Sequence, residues 1–159
     1  EGLEAGCGGS QAGKEEEGMR TDYVLAARRH IRDAHLLLAK GSLANAGQLF
    51  GISVECGLKS LLVRGGAPRN ANGDLLPPYK KHMPQLDKFI NDLTTLPDGR
   101  AASVLQSRLP NLVSLDDWSI DHRYWREPEI PLPTHLSDWE LAALEMDALL
   151  DEAAGGGVL

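Results

Sequence analysis

Residues 42–66 read SLANAGQLFGISVECGLKSLLVRGG, and this stretch decides the fold class. Its apolar side chains recur at spacings of three and four residues, which is the period of an α-helix and not the alternation of a strand. The residues on this apolar face are Leu43, Ala46, Leu49, Phe50, Val54, Leu58, Leu61 and Leu62. Because Ser42 can cap a helix and Gly65-Gly66 can end one, the sequence predicts a largely buried helix over about 42–64.

Two further features of this helix bear on its neighbours. Gly47, Gly51 and Gly57 each cost up to ~1 kcal/mol relative to alanine inside a helix, so we expect another helix to pack closely against the backbone there. The apolar face is also broader than a single core seam needs. A patch of that size would mark an interface if it were exposed, so the sequence predicts that the chain self-associates as a homodimer.

The rest of the chain adds further helices and two irregular segments. Residues 65–80 are rich in Gly, Pro, Asn and Asp and are longer than most connections, while residues 110–134 contain four prolines. We predict both to be irregular, and a helical turn at 111–117 is left open as an alternative. The last helix begins with Ser137-Asp-Trp-Glu140, the pattern of a capping box. Helical periodicity is found at about 21–40, 84–95, 99–109 and 137–154. The sequence therefore predicts an all-α chain that folds as an up-and-down bundle of four to five helices.

The formal net charge of −7 is unevenly distributed along the chain. Residues 1–18 contain five glutamates, one lysine and six glycines, and they account for −4 of this charge. Such a segment cannot bury enough apolar surface to offset the entropy of ordering it, so we predict a disordered tail or leader at 1–18. We expect the bundle at 19–154 and a flexible C-terminus at 155–159. The acidic balance argues against a protein that coats nucleic acid, because such binding needs many phosphate contacts.

Several classes of function lack their sequence signals. No apolar run approaches the roughly 18 residues of a membrane span, so we expect a cytoplasmic protein that does not contact the membrane. Cys7 and Cys56 form neither a disulfide framework nor a metal-binding spacing, and no His/Cys cluster indicates zinc. No glycine-rich loop has the Lys-Ser/Thr ending of a phosphate-binding loop. We therefore expect neither a metal nor a cofactor.

Glu55 and Lys59 are the strongest polar signal in the helix predicted at 42–64. They lie four residues apart, so they share one face of the helix and can form an ion pair. One interpretation is an exposed pair worth about 0.2–0.5 kcal/mol. The other is a half-buried pair that orients the following loop or a polar cleft.

The run DHRYWR at 121–126 is the best candidate for a ligand site. Guanidinium groups can bind phosphate and aromatic rings can stack on a base, so the run suits a nucleotide or RNA. In the alternative interpretation, the aromatic rings fill the end of the bundle and Arg123 pairs with a carboxylate such as Glu55. The rings concerned are those of Trp118, Tyr124 and Trp125. His82, beside two lysines, is a secondary ligand candidate, with a solvated loop end as its alternative.

The order of these motifs resembles that of the HEPN family (higher eukaryotes and prokaryotes nucleotide-binding). In that family an Ala-rich second helix often runs into Glu-x-x-Leu-Lys, and a Lys-His element and an Arg-Tyr element follow. This chain has Glu55-Cys-Gly-Leu-Lys59, then Lys81-His82, then Arg123-Tyr124. The resemblance covers about Thr21 to Ala154, and it implies an up-and-down helical bundle that commonly dimerises.

The resemblance also implies a chemistry. Many members are metal-independent ribonucleases with an Arg-x4–6-His motif, often toxins neutralised by a nucleotidyltransferase partner. A histidine can take the proton of the ribose 2′-hydroxyl, and an arginine can stabilise charge on the phosphate. Here Arg126 and His135 are separated by eight residues, which is outside that spacing, and Arg29-x5-His35 lies on the first predicted helix. The catalytic residues are therefore left open, with His122, Arg126 and His135 as candidates.

We predict a HEPN-like module that binds a nucleotide, an RNA or a partner protein, as part of a toxin–antitoxin or stress-response system. One alternative is a metal-independent ribonuclease, and a second is a helical interaction bundle without a ligand. The candidate ligand-binding residues are Arg123, Tyr124, Trp125, Glu55, Lys59 and His82.

Overall fold

The computed structural model describes residues 20–83, 85–86 and 91–155. Its helices are α1 (Tyr23–Ala39), α2 (Leu43–Arg64), α3 (Gly99–Gln106) and α4 (Leu136–Gly155). Short 3-10 turns cover Leu93–Thr95, Leu112–Leu115, Ile120–Tyr124 and Glu127–Glu129. Within the described residues there is no strand, only an isolated antiparallel bridge between Arg69 and Leu75. The prediction of an all-α chain is thereby confirmed for this part of the chain.

Helix α2 is the centre of the fold. Helices α1 and α4 and the turn Ile120–Tyr124 all contact it. The small residues Ala27 and Ala34 lie on the face of α1 that is buried, and Ser53 Oγ donates a hydrogen bond to Ala27 O at 2.8 Å across the helix pair. The predicted apolar face of α2 is therefore covered within one chain. The breadth of this face predicts a homodimer only on the condition that the face is exposed. Because the face is buried within the chain, its breadth does not support a homodimer.

The three glycines of α2 mark the places where neighbours approach its backbone. A Cβ on Gly47 would lie 3.0 Å from ring atoms of Trp139, and one on Gly51 would lie 1.9 Å from Trp118 Cε2. A Cβ on Gly57 would lie 2.1 Å from the sulfur of Met146. The expectation of close packing at these glycines is confirmed, although Trp118 belongs to an irregular segment and not to a helix.

Helix α4 begins one residue earlier than predicted. Because Leu136 is already helical, Ser137 lies inside the helix and the predicted capping box is wrong. The Glu140 side chain does not turn back to the helix start, since its Oε1 lies 3.1 Å from His35 Nε2 on α1. The Glu140 carboxylate, which the local pattern predicted to cap α4, instead contacts His35 on α1.

The remaining predicted segments agree in part. The helix predicted at 84–95 has helical residues at 85–86 and 91 and a 3-10 turn at Leu93–Thr95, while 84 and 87–90 lie outside the described residues. The predicted tail 1–18 and residues 156–159 lie outside them as well. Residues 65–80 are irregular, as predicted. No helix in the described part of the chain is long and apolar enough to cross a membrane.

Candidate functional site

The predicted site residues fall into two groups that lie at different places on α2. In the first group, Glu55 is the shared acceptor. Its Oε1 lies 2.8 Å from Lys59 Nζ and 2.8 Å from His82 Nδ1, and its Oε2 accepts a hydrogen bond from the backbone amide of Met83 at 3.2 Å. The side chains of Glu55 and Lys59 are 5% and 13% exposed, so the half-buried interpretation of this pair agrees with the structure.

The Glu55 carboxylate fixes the end of the long loop. The loop is residues 65–80, which follow α2. The carboxylate holds His82 and Met83, just after the end of this loop, against α2. Lys59 Nζ also lies over the ring of Tyr23, 5.9 Å from its centroid. The alternative expectation that Arg123 pairs with Glu55 is wrong, because the carboxylate is occupied by Lys59 and the residues at 82–83.

The second group is anchored on the first half of α2. Trp118 is 1% exposed, and its indole N–H donates to Gly47 O at 3.2 Å. Gln48 Nε2 donates to Ile120 O at 3.1 Å. Ser119 Oγ accepts a hydrogen bond from the Asp121 amide at 3.1 Å and so caps the turn Ile120–Tyr124. These contacts fix the backbone of 118–124 although the segment is not an α-helix.

His122 points into the protein. It is 4% exposed, and its ring lies 4.6 Å from that of Trp125 and 5.8 Å from that of Trp139. Burial lowers the pKa of His122, which favours the neutral ring, although Asp117 and Asp121 act in the opposite direction. A buried imidazole does not reach a ligand on the surface, so His122 acts in packing.

The next three residues face outwards. Tyr124 is 75% exposed and Trp125 47%. The guanidinium carbon of Arg123 lies 4.7 Å from the centroid of the Tyr124 ring, a cation–π contact. We call Arg123, Tyr124 and Trp125 the aromatic platform. The expectation that all three rings fill the end of the bundle is correct for Trp118 and wrong for Tyr124.

Arg126 and His135 have acidic partners of their own. Arg126 forms an ion pair with Glu129. His135 Nδ1 pairs with Asp117, whose other oxygen accepts a hydrogen bond from Trp139 Nε1 at 3.0 Å. A carboxylate on Nδ1 leaves Nε2 of the half-exposed imidazole as a proton acceptor. Sequence reasoning missed Asp117, whose only signal was its position next to Trp118.

The Arg29-x5-His35 match does not form a site. His35 packs edge-on against Phe50 at 5.1 Å between ring centroids and contacts Glu140, while Arg29 is exposed. Both histidine contacts are those of a residue at a helix–helix boundary.

The surroundings of the platform limit what it can bind. Residues 116–129 contain five acids and two arginines, so with His122 neutral their net charge is −3. Among the described ion pairs none involves Arg123, which leaves its guanidinium available. In the described residues, no group of three or more His, Cys, Asp or Glu is arranged to hold a metal ion. No protein-family model, curated protein or solved structure matches this chain.

Proposed function

We propose that this chain is a HEPN-like helical module that binds a nucleotide or a short single-stranded RNA on the aromatic platform without cleaving it. The observation that supports this most is the outward-facing Tyr124 ring with the unpaired Arg123 guanidinium over it. A ring of this kind stacks on any base, and the guanidinium fork suits a phosphate. Trp118, which is buried against α2, anchors the segment that carries the platform.

The local charge predicts that the platform binds nucleic acid weakly and contacts only a few nucleotides. Only Arg123 lacks an acidic partner in a segment of net charge −3, so one or two phosphates are the most that the platform can neutralise. The logarithm of the binding constant should then fall with the logarithm of salt concentration with a slope of about −0.7 per phosphate. Stacking should contribute roughly 1–3 kcal/mol per base, with little sequence preference.

The experiment titrates the protein with short RNA oligonucleotides and mononucleotides. We expect Tyr124→Ala and Arg123→Ala to weaken binding, and Arg123→Lys to restore it only in part because the planar fork is lost. Arg100→Ala, which removes an exposed arginine from α3, is the matched control and should bind like the wild type. Equal affinity of Arg123→Ala and wild type would remove the platform as the site.

A ribonuclease is the second candidate, and the Asp117–His135 pair favours it. A carboxylate that orients an imidazole is the arrangement of a general base, and His135 is partly exposed. The same RNA should be assayed for cleavage in EDTA. Cleavage that is abolished by His135→Ala and retained in Arg100→Ala would establish the enzyme and overturn a purely binding role.

The resemblance also leads us to propose a homodimer and a nucleotidyltransferase partner. Apolar side chains that remain exposed, such as Leu25 and Leu36 on α1 and Leu141 and Leu144 on α4, are candidates for such contacts. Sedimentation equilibrium at micromolar concentration tests the dimer, and a purely monomeric protein would exclude it.

A further inference from the structure

A cavity lies away from the platform, between the start of α1, the end of α2 and the long loop at residues 65–80. Its volume is about 400 Å³, within the range of small-molecule sites. Tyr23, Val24 and Val63 supply apolar wall, while Arg64 and Arg69 supply the basic groups. Its walls come from three separate segments of the chain, so no local sequence pattern predicts this cavity.

The walls of the cavity are held in place by hydrogen bonds over long sequence separations. The Thr21 amide donates to Asn72 O at 2.7 Å, and the Leu75 amide donates to the Tyr23 hydroxyl at 3.1 Å. The Thr21 hydroxyl donates to Asp74, and this bond is the main cause of the lowered pKa of that carboxyl. The loop is therefore attached to the start of α1, and the cavity is a formed site.

The two arginines are the unusual feature of this cavity. Arg64 is partly buried, and its Nε is a buried donor with no hydrogen-bond partner. Neither Arg64 nor Arg69 lies within ion-pair distance of a carboxylate in the described part of the chain. Asp22 also lines the cavity, but its carboxylate accepts the capping hydrogen bond of α1 from the Leu25 amide at 2.9 Å.

We propose that this cavity binds a small organic phosphate monoester, with the phosphate on Arg64 and Arg69 and the organic part against Tyr23, Val24 and Val63. A guanidinium binds phosphate oxygens through two parallel N–H groups, and a monoester carries close to two negative charges at neutral pH, which matches two arginines. A carboxylate carries one charge and matches one guanidinium. The volume admits a single ring or a short chain beside the phosphate.

Calorimetric titration of the full chain with phenyl phosphate tests this proposal. We expect wild type to bind, and Arg64→Gln and Arg69→Gln each to bind about tenfold or more weakly, because each removes charge-assisted hydrogen bonds. Arg100→Gln is the control and should leave binding unchanged. Arg69 is exposed, so its variant tests the site even where Arg64→Gln lowers stability.

Two further ligands separate the alternatives. Benzoate keeps the ring and replaces the phosphate, and inorganic phosphate keeps the phosphate and removes the ring, so each should bind more weakly than phenyl phosphate. Benzoate binding as tightly would overturn the assignment to phosphate, and inorganic phosphate binding as tightly would overturn the role of the apolar wall. No binding of phenyl phosphate, or equal binding by wild type and Arg69→Gln, would remove the site. Arg69→Gln should not change binding on the platform of RNA oligonucleotides that lack a terminal phosphate, so each proposal can fail without the other.

Discussion

Gly51 shows at the scale of one residue how the irregular segment is held. The Trp118 ring lies where a side chain at position 51 would begin, so the helix interior needs glycine there despite its cost of up to ~1 kcal/mol in helix propensity. Gly57 differs, because it is the flexible end of Met146 that approaches it. A methyl group at position 57 can be accommodated by a shift of that side chain, and one at position 51 requires a buried indole to move.

We therefore predict that Gly51→Ala destabilises the protein by about 1–3 kcal/mol, the usual cost of overpacking a core, and that Gly57→Ala costs less. Gly155→Ala is the control, since among the described residues no atom beyond its chain neighbours and its own helix backbone lies within 4 Å of the Cβ it would add. Urea unfolding followed by circular dichroism measures all three. A Gly51→Ala protein as stable as wild type would show that Trp118 does not pack on α2 in this way.

Glu55 carries the second prediction at this scale. Glu55→Ala leaves the Lys59 ammonium, which is 13% exposed, and the Met83 amide without their acceptor. Removing one partner of a buried pair costs about 3–5 kcal/mol, and we expect at least half of that here because His82 is open to water. The exposed pair of Arg108 and Glu152 is the control, and Glu152→Ala should cost less than about 1 kcal/mol. A change within about 0.5 kcal/mol for Glu55→Ala would contradict the buried pair.

At the scale of elements, periodicity predicted the long helices well, and Ser42 and Gly65 flank α2 where the sequence predicted its ends. In α1, α2 and α4 the apolar side chains repeat with helical period along one face. This periodicity determines which face of each helix is buried, whichever elements pack against it. The start of α4 was missed because Glu140 has a better partner in His35, which lies 105 residues away in sequence and which no local pattern shows. Predicted irregularity at 110–134 was correct in kind, but the position of this segment depends on two long-range hydrogen bonds with α2. One runs from Trp118 Nε1 to Gly47 O, and the other from Gln48 Nε2 to Ile120 O.

The attachment of the long loop to α1 leads to a prediction about this element. Tyr23→Phe removes the acceptor of the buried Leu75 amide, and leaving a buried donor unpaired costs about 1–3 kcal/mol locally. Amide hydrogen exchange at Leu75 should become faster, while exchange in the centre of α2 stays unchanged. Tyr124→Phe, which removes an exposed hydroxyl, is the control and should alter neither. Unchanged exchange at Leu75 in Tyr23→Phe would show that the loop is held by its other contacts alone.

At the scale of the whole molecule, the sequence predicted which residues belong to the candidate site but not how their side chains are oriented or paired. The run 121–126 was recognisable from composition, but its division into an inward His122 and an outward Tyr124 depends on how the turn sits on α2. Glu55 contacts His82, which lies 27 residues away in sequence. The order of the motifs included both residues, but it did not show that their side chains would contact each other. Arg64 and Arg69 were missed because each is unremarkable in its own segment.

The last prediction concerns the stability of the whole fold as a function of pH. Burial lowers the pKa of His122 from its ordinary 6.5, and burial, assisted by Arg29, lowers that of His30. Well above pH 6.5 both rings are neutral in the folded and the unfolded chain, so they contribute no pH dependence there. As the pH falls below 6.5, the unfolded chain binds protons that the folded chain resists. The free energy of unfolding therefore decreases until the lowered pKa values are reached.

Urea unfolding at a series of pH values from about 7.5 to 5 measures this loss. His122→Phe keeps an aromatic ring against Trp125 and Trp139 and removes the titration, so its stability should fall less steeply below pH 6.5 than that of wild type. His30→Asn should flatten the curve as well, and the two changes should add because each ring titrates in its own surroundings. Burial beside two indole rings disfavours the charged form of His122, which is the reason for the expected difference between the two curves. A His122→Phe curve parallel to that of wild type would contradict the prediction, because it would show that the buried ring takes up its proton as easily as an exposed one.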